Sequence, residues 1–386
     1  MMSFLKRVID ALASYKLACL LFVLLLLLTF LGTLEQVEHG IYEVTQRYFE
    51  SLVVIYPFLG FIPIPLPGAY LLLALLSLNL FLGGVVRMRK NVRTYGILIA
   101  HIGILLLIAA GFVKHQYARE GYISLYEGER AHEYESYFDW EFAIWRDADG
   151  PTREYLIDAD RLGRSRGGRW TFRHPEIPFD LTVANYLRNS VPRRLDAATA
   201  DAATDDGFAL EPLPLEVEAE ANLPGAYAIL REPDGTEHAA LLWGGARHPF
   251  SVEIDGAVWS VDLRRQRRAM PFTIALNRFV HAFHPNTTIP SKFLSEVTRI
   301  EEGVAQDVQI SMNEPMRHRG YTLYQASWGP QDAPPGAPLF STFAVAWDPA
   351  EDLPLWACVV ITIGLVFHFG VMLTYYLRRE SRRQAS

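Results

Sequence analysis

The chain has 386 residues, half of them hydrophobic, and a formal net charge of −7. Its mean hydropathy of +0.10 hides a segregation, because leucine-rich runs occupy the two ends and an ordinary polar sequence fills the middle. Most of the acidic excess falls in that middle part, which argues against a nucleic-acid partner. The two cysteines, Cys19 and Cys358, lie in apolar runs without paired spacing, which argues against a disulfide framework or dithiol chemistry.

Four apolar stretches are long enough to cross a lipid bilayer, since a helical span needs about 20 mainly apolar residues. They occupy about 17–34, 68–86, 95–113 and 355–377. The first stretch follows basic residues, as the core of a signal peptide does. No small-residue cleavage site follows it, and the run is longer than a signal core, so we predict a retained helix.

Basic residues predict the orientation, because they collect on the cytoplasmic side of a membrane. One cluster precedes the first span, one fills the connection between spans two and three, and one follows span four. Their members are Lys6, Arg7, Lys16; Arg87, Arg89, Lys90, Arg93; and Arg378, Arg379, Arg382, Arg383. With four spans all three clusters fall on the same side of the membrane, whereas three or five spans would separate them. We therefore predict that both termini are cytoplasmic.

The sequence therefore predicts an integral membrane α-helical protein with a large external β-rich domain. The membrane sector would comprise residues 1–113, with a short external loop at 35–67, and residues 354–386 would form the fourth helix and a basic cytoplasmic tail. Residues 114–353 contain short alternating runs separated by turn signals, among them the hairpin turns predicted at Asp234-Gly235 and Asp255-Gly256; this pattern predicts an antiparallel sandwich or open barrel. Within this domain, the acidic low-complexity stretch 196–207 predicts a flexible loop.

Two histidines fall inside predicted spans, where an ionisable side chain is a functional hypothesis by default. His101 lies about 10 Å from the cytoplasmic end of span three, and His368 about 13 Å from the same side in span four. On a helical wheel, His101 stands among apolar side chains, away from the small residues Gly96, Ala100 and Gly103. It could be an axial ligand of a flat apolar cofactor, or hydrogen-bond to a neighbouring helix. His368 could be a second intramembrane ligand of the same iron.

Other candidates lie in the external segments. His281 and His284 are spaced i, i+3, but without further ligands at metal-binding spacing zinc is not expected. His39 and His115 lie near the predicted outer membrane surface and are candidates for an external haem ligand. The basic run 264–268 would meet lipid headgroups, haem propionates or an acidic partner, or form a solvated strand end.

The chain resembles the ResB (CcsB) family of System II cytochrome c biogenesis proteins. The motifs that carry the resemblance run in family order from the first span to the end of the external domain. They are Leu31-Gly32-Thr33 with Gln36; Leu78-Asn79-Leu80 with Arg87; His101; Gly121-Tyr122-Ile123-Ser124-Leu125 with Glu127-Gly128-Glu129; Pro271-Phe272 with Leu276 and Phe279; Pro290-Ser291-Lys292-Phe293-Leu294-Ser295; Ile310-Ser311-Met312-Asn313-Glu314-Pro315; and Gly320-Tyr321 with Tyr324-Gln325-Ala326-Ser327. His368 is not part of the family's pattern.

The resemblance implies a protein of the bacterial cytoplasmic (inner) membrane with its large domain outside. Such a protein works with a separate ResC/CcsA-type membrane partner to carry haem b outward and attach it to apocytochrome c. A thiol-reducing ResA/CcsX-like protein is a further implied partner. The family's transmembrane haem-ligating histidine corresponds to His101. The resemblance makes the chain a subunit of a cytochrome c haem lyase and assigns it no catalytic residue.

Two other functions remain open at the level of sequence. The chain could be a scaffold that stabilises the partner and binds apocytochrome c without touching haem. It could also be an outward-facing, membrane-anchored receptor whose β domain binds a ligand, although its cytoplasmic segments are too short for an output domain.

Overall fold

The structure is a computed structural model that describes residues 2–58, 60–147, 152–163, 168–194, 207–283, 290–331, 334 and 336–384. It divides into two compact units. The membrane unit comprises Met1–Ala118 and Trp347–Ser386, and the β unit comprises Arg119–Ala346. The stretch 196–207, which the sequence predicts to be a flexible loop, lies outside the described residues except for Gly207. His284 also lies outside them.

The membrane unit is helical. Its helices are α1 (Met2–Leu12), α2 (Tyr15–Val44), α3 (Ala69–Asn79), α4 (Tyr95–Tyr117) and α6 (Leu353–Gln384), with π-helical turns at Thr45–Phe49 and Leu80–Val86. Four helical segments are long and apolar enough to cross a membrane: Tyr15–Phe49, Ala69–Val86, Tyr95–Tyr117 and Leu353–Gln384. The predicted set of four membrane helices is thus confirmed, and the chain is a membrane protein.

The connection between the first two spans differs from the predicted loop. The first helix continues past Leu34 to Val44, because no helix-breaking residue occurs before Gly40, whose φ of 73° kinks it. Beyond the π-helical turn, β1 (Val53–Phe58) and β2 (Ile62–Pro67) form an antiparallel hairpin. Proline disrupts a helix because it has no N–H to donate, but it is tolerated in edge strands. The prolines of this segment are therefore compatible with a hairpin of two short strands.

Small residues allow α4 and α6 to pack closely. Gly96, Ala100 and Gly103 are buried along one face of α4. A Cβ atom on Gly96 would lie 2.5 Å from the carbonyl oxygen of Gly364 in α6, so neither helix could approach as closely with a larger residue. This face is the one that the helical wheel assigned to helix packing.

The β unit contains sixteen named strands in the part of the chain that the structure describes. They are β3 (Arg119–Tyr126), β4 (Arg130–Arg146), β5 (Glu154–Asp158), β6 (Arg169–Phe172), β7 (Asp180–Leu187), β8 (Ser190–Arg194), β9 (Phe208–Pro212), β10 (Gly225–Arg231), β11 (Glu237–Trp243), β12 (Phe250–Ile254), β13 (Ala257–Phe283), β14 (Pro290–Glu301), β15 (Val304–Ser311), β16 (Met316–His318), β17 (Tyr321–Gly329) and β18 (Phe340–Trp347). A one-turn helix, α5, spans Asp160–Gly163.

Ten of these strands form one antiparallel sheet. Its main path runs β15-β14-β13-β4-β3-β18-β17-β16, with β12 paired to β13 and β5 to β4. Strands β14 and β15 also contact β16 and β17, so the sheet curls into a nearly closed barrel. A four-stranded sheet, β11-β10-β7-β6, and the β8-β9 hairpin complete the unit. The predicted β-rich domain is confirmed.

Two hydrophobic cores stabilise the β unit, and β13 contributes to both. Its first half supplies Trp259, Val261 and Leu263 to a first core shared with β4, β7, β10 and β11. Its second half supplies Phe272 and Leu276, among others, to a second core inside the barrel. Strand β4 pairs with β13 along both halves, with register shifts between Arg265/Arg267 and Ala269/Ile274. Residues 264–268 therefore lie where β13 passes from one core to the other.

Candidate functional site

His101 is held by the end of the second membrane segment. Its Nδ1 lies 3.1 Å from the carbonyl oxygen of Gly84. A backbone carbonyl can only accept a hydrogen bond, so Nδ1 must carry the proton and donate it. In the neutral imidazole, the lone pair then resides on Nε2. This arrangement is the usual one for a histidine that ligates a metal, because the second hydrogen bond fixes the tautomer and the ring orientation.

Gly84 is suited to this contact for two reasons. It lies in the π-helical turn that ends the second membrane segment, where backbone carbonyls lack partners within the helix. It also has no side chain, and a Cβ atom at this position would clash with the His101 ring. The carbonyl therefore gains a donor, and the imidazole can lie directly against the backbone.

The surroundings of His101 suit a flat apolar group. The side chain is partly buried, and Ile104, one turn along the same face of α4, is 36% exposed. Neighbouring Ile102 is 40% exposed. The imidazole thus borders apolar surface that is not covered by the described part of this chain, on which a porphyrin ring or an apolar helix of a partner can pack.

His368 uses the same hydrogen-bonding mode at a different place. Its Nδ1 lies 3.1 Å from the carbonyl oxygen of Arg93, just before α4, so its lone pair also resides on Nε2. The backbone of His368 packs against Gly96, on the face of α4 that meets α6. His101 lies five residues further along α4 and so about 140° around the helix. No described contact joins the two imidazoles, and their sharing of one iron stays a prediction.

The two histidines near the opposite end of the membrane unit have different environments. In His115, Nε2 hydrogen-bonds to the hydroxyl of Tyr70 and Nδ1 lies 3.5 Å from a carboxylate oxygen of Glu50. Both ring nitrogens are thus engaged, which leaves no lone pair for iron in this arrangement. His39 lines a cavity of about 300 Å³ together with Glu35 and Arg47, among others.

The basic run 264–268 is mostly consumed inside the β unit. Arg264 is 11% exposed; it donates to Glu141 at 3.2 Å and to Glu154 at 3.1 Å. Arg268 donates to Asp139 at 2.8 Å. Arg265 donates to backbone carbonyls of the β4 strand, with its guanidinium 4.7 Å from the centre of the Trp140 ring. These arginines are neither a solvated strand end nor free for haem propionates.

Burial and pairing act in opposite directions on the two carboxylates beside Arg264. Burial raises the pKa of Glu141 even though Arg264 lies beside it. The hydrogen bonds from Arg264 lower the pKa of the more exposed Glu154. Arg264 is therefore the group that makes a charged Glu141 tolerable in the first core.

His281 belongs to an aromatic cluster on the barrel. Its ring stacks on Trp328 at 4.5 Å between centroids, and Trp328 in turn stacks on the buried Phe279 at 5.6 Å. Among the described residues no group of three or more His, Cys, Asp and Glu side chains is placed to hold a metal ion. A zinc site at His281 therefore finds no support in the described part of the chain.

The family-like motifs of the β unit close the barrel. Ser295 of β14 hydrogen-bonds to Gln325 of β17 at 2.6 Å and to Ser341 of β18 at 2.9 Å, all by side chains. These strands are not paired with β14 through their backbones, so the polar side chains bridge the gap in the sheet. Opposite Ser295 in the neighbouring strand β13, the backbone N–H of Phe279 donates to the Glu127 carboxylate at 2.8 Å.

The sequence did not single out Gly84, which positions His101. The adjacent glycines at 83 and 84, at the end of an apolar run, were the available signal, because glycine permits close approach of another group to the backbone. The partner of such a glycine cannot be read from sequence.

Comparison with known proteins supports one part of the chain. Residues 255–335 match the model of the ResB-like family. The matched segment holds β13 to β17, and so eight of the thirteen buried residues of the second core and two of the three side chains that bridge the barrel. Among curated proteins, none gives a significant match. The resemblance to ResB is thus confirmed over this segment, and it supports a general role in cytochrome c biogenesis.

Proposed function

Because residues 255–335 match the ResB-like family, we propose that this membrane protein acts in System II cytochrome c maturation. In this proposal it works with a ResC/CcsA-type partner to carry haem b from the cytoplasm outward. Both termini and the three basic clusters are cytoplasmic, and the β unit lies outside the bacterial inner membrane. The haem is then attached to the two thiols of apocytochrome c, which a ResA/CcsX-like protein keeps reduced.

The observation that supports haem binding by this chain is the geometry of His101. Its Nδ1–H is bound by the Gly84 carbonyl, so the Nε2 lone pair is oriented away from that backbone. A neutral imidazole of this kind binds haem iron as an axial ligand. The exposed apolar face of α4 around Ile104 would pack against the porphyrin ring.

The β unit would receive the acceptor protein. Arg264 and Arg268 of its basic run are paired with carboxylates inside the unit, so they are not available for haem propionates. We therefore assign haem binding to the membrane unit and place apocytochrome c at the β unit.

The test is the haem content of the protein purified with its partner after co-expression. We expect His101→Ala to reduce the haem recovered per complex to below about a tenth and to abolish cytochrome c assembly, because the axial ligand is lost. His368→Ala tests the predicted second ligand, since this histidine also lies in a membrane helix and also donates to a backbone carbonyl; an unchanged haem spectrum and stoichiometry would refute a shared iron. If His101→Ala kept its haem and its cytochrome c yield, the role would be refuted.

Gly84→Ala separates positioning from ligation. The added methyl group would push the imidazole away from the Gly84 carbonyl, but the histidine that could bind iron would still be present. We expect the haem affinity to fall by about 10- to 100-fold, as for other changes of the group that orients a metal ligand, with less haem lost than in His101→Ala, and the absorption maximum of the remaining haem to shift. An unchanged spectrum and stoichiometry would mean that the carbonyl does not orient the ligand.

A scaffold is the second candidate, and one observation favours it: the family match lies entirely in the β unit and does not include His101. A scaffold would stabilise the partner without touching haem. In that case His101→Ala would leave the haem spectrum of the complex unchanged, while a chain that lacks a closed barrel would lose the partner.

A further inference from the structure

A second site lies in the membrane unit, where α6 emerges beside the segment that precedes α4. There a cavity of about 750 Å³ is open on one side. We call it the basic cavity; it is lined by Arg93, Met372, Tyr375, Tyr376, Arg378, Arg379, Arg382 and Arg383. Neither the family match nor the role proposed for His101 involves these residues.

The lining changes from apolar to charged along the helix. Met372 comes first, the two tyrosines follow one turn later, and the arginines come last. From Met372 to Arg383 the helix rises by roughly 16 Å. That distance spans the deeper acyl chains, the aromatic interface level and the headgroups of one leaflet.

The lining is rich in positive charge, with Arg93, Arg378, Arg379 and Arg382 among its residues. No carboxylate is among the residues that line it, and Glu380, the single acidic residue of α6, lies outside the lining. Arg93 places its guanidinium 4.1 Å from the centre of the Tyr375 ring. Arg87, in the same basic connection but outside the cavity, instead forms an ion pair with Asp10 at 2.6 Å.

The cavity also borders apolar helix surface. Phe369, Leu373 and Tyr376 of α6 are 64%, 56% and 63% exposed. An occupant can therefore place an anionic group among the arginines and lay an apolar body along α6. A phospholipid with an acidic headgroup has this chemistry, and so does haem with its propionates.

We propose that the basic cavity binds one anionic phospholipid, with its phosphate held by the arginines and its acyl chains along the exposed face of α6. Two features favour the lipid over haem. The arginines lie together at the end of the helix, at the depth expected for headgroups. The apolar side of the cavity continues along the exposed surface of α6 and does not form a narrow slot that would enclose a flat ring. The site fixes the end of α6 and the residues before α4 to each other. This inference is independent of haem binding at His101.

The experiment is native mass spectrometry of the full-length protein released from nanodiscs that contain equal amounts of phosphatidylcholine and phosphatidylglycerol. The wild type is expected to retain one phosphatidylglycerol in preference to phosphatidylcholine. Arg379→Gln with Arg382→Gln should weaken this retention by about tenfold or more. The control, Arg89→Gln with Lys90→Gln, removes the same charge from exposed residues outside the cavity and should retain the lipid.

A third variant changes shape without charge. Met372→Trp fills the cavity and should also lower lipid retention, which a merely electrostatic attraction to the membrane would not predict. Wild-type protein that holds both lipids equally would overturn the proposal, as would equal loss in the cavity and control variants. Addition of haem to the same samples distinguishes the sources: displacement of the lipid by haem at equimolar amounts would assign the cavity to propionates instead.

Discussion

Two arginine-rich segments of this protein have opposite surroundings. In the β unit, Arg264, Arg265 and Arg268 are bound by carboxylates, backbone carbonyls and an aromatic ring. In the membrane unit, the arginines in the C-terminal part of α6 line an open cavity whose lining includes no carboxylate. The arginines of the first segment join β13 to its neighbours, whereas we propose that those of the second segment bind an external anion.

The difference shows that a basic run has no fixed meaning. The groups beside an arginine determine its role. Glu141 is buried and its negative charge requires Arg264 beside it, so the pair must stay together. The arginines at the C-terminal end of α6 are exposed, at the position where a helix end that leaves the membrane would place them among water and headgroups. Substitution should therefore damage folding in the first segment and ligand binding in the second.

Arg264→Ala should have the largest effect on stability. It leaves Glu141 buried without its cation, which costs about 3–5 kcal/mol of unfolding free energy. Chemical denaturation of the full chain in detergent, followed by tryptophan fluorescence, reports this change because Trp140 and Trp259 lie in the first core. Arg267→Ala is the control, since Arg267 is exposed, and it should change stability by less than about 0.5 kcal/mol. Equal effects of the two substitutions would contradict the assignment.

Arg265→Ala should have an intermediate effect. It removes donors to two or more carbonyls and a stacking contact with Trp140, for a loss of about 1–3 kcal/mol. Arg265→Lys keeps the charge but not the planar fork, and should recover less than half of that loss. Full recovery by lysine would show that charge alone matters at this position.

The pH dependence of Glu154 gives a smaller effect with a defined sign. Its pKa is lowered in the folded protein by Arg264, so its contribution to stability is present above its ordinary pKa of about 4.5 and is lost as the pH falls below that value. Wild type should be more stable than Glu154→Gln near neutral pH, and the gap should shrink on acidification. A gap that stays constant down to about pH 3 would exclude this coupling.

The cavity arginines should have the smallest effect on folding. Arg379→Gln and Arg382→Gln remove exposed charges that have no carboxylate beside them in the cavity, so the unfolding free energy should change by less than about 0.5 kcal/mol. The same denaturation assay measures it. A loss as large as that of Arg264→Ala would mean that the arginines hold the fold rather than a ligand.

The sequence predicted the features that depend on local composition. Membrane helices follow from runs of leucine, and the hairpins around Asp234-Gly235 and Asp255-Gly256 follow from turn residues; both pairs of strands are present. His101 stood out because a histidine in an apolar helix is rare. The extension of the first helix was missed because the helix remains favourable beyond the bilayer-length run of leucines.

Contacts between distant parts of the chain were not predictable from one sequence. Glu141 and Arg264 are 123 residues apart, and nothing in either neighbourhood indicates the other. The same holds for the Gly84 carbonyl that accepts from His101. It also holds for the Arg93 carbonyl, which accepts from His368, 275 residues away. Strand register decides the first contact and helix packing decides the other two, and neither is encoded locally.

Strand β13 has a consequence for how the β unit comes apart. Its 27 residues contribute to both cores without a break in the chain, and β4 follows it through both. If either core lost its part of β13, the backbone hydrogen bonds between β13 and β4 on which the other core depends would be exposed to solvent. We therefore expect amide hydrogen exchange to detect one cooperative opening of both cores, with matching protection at Val261 and Ile274, rather than two openings of different free energy.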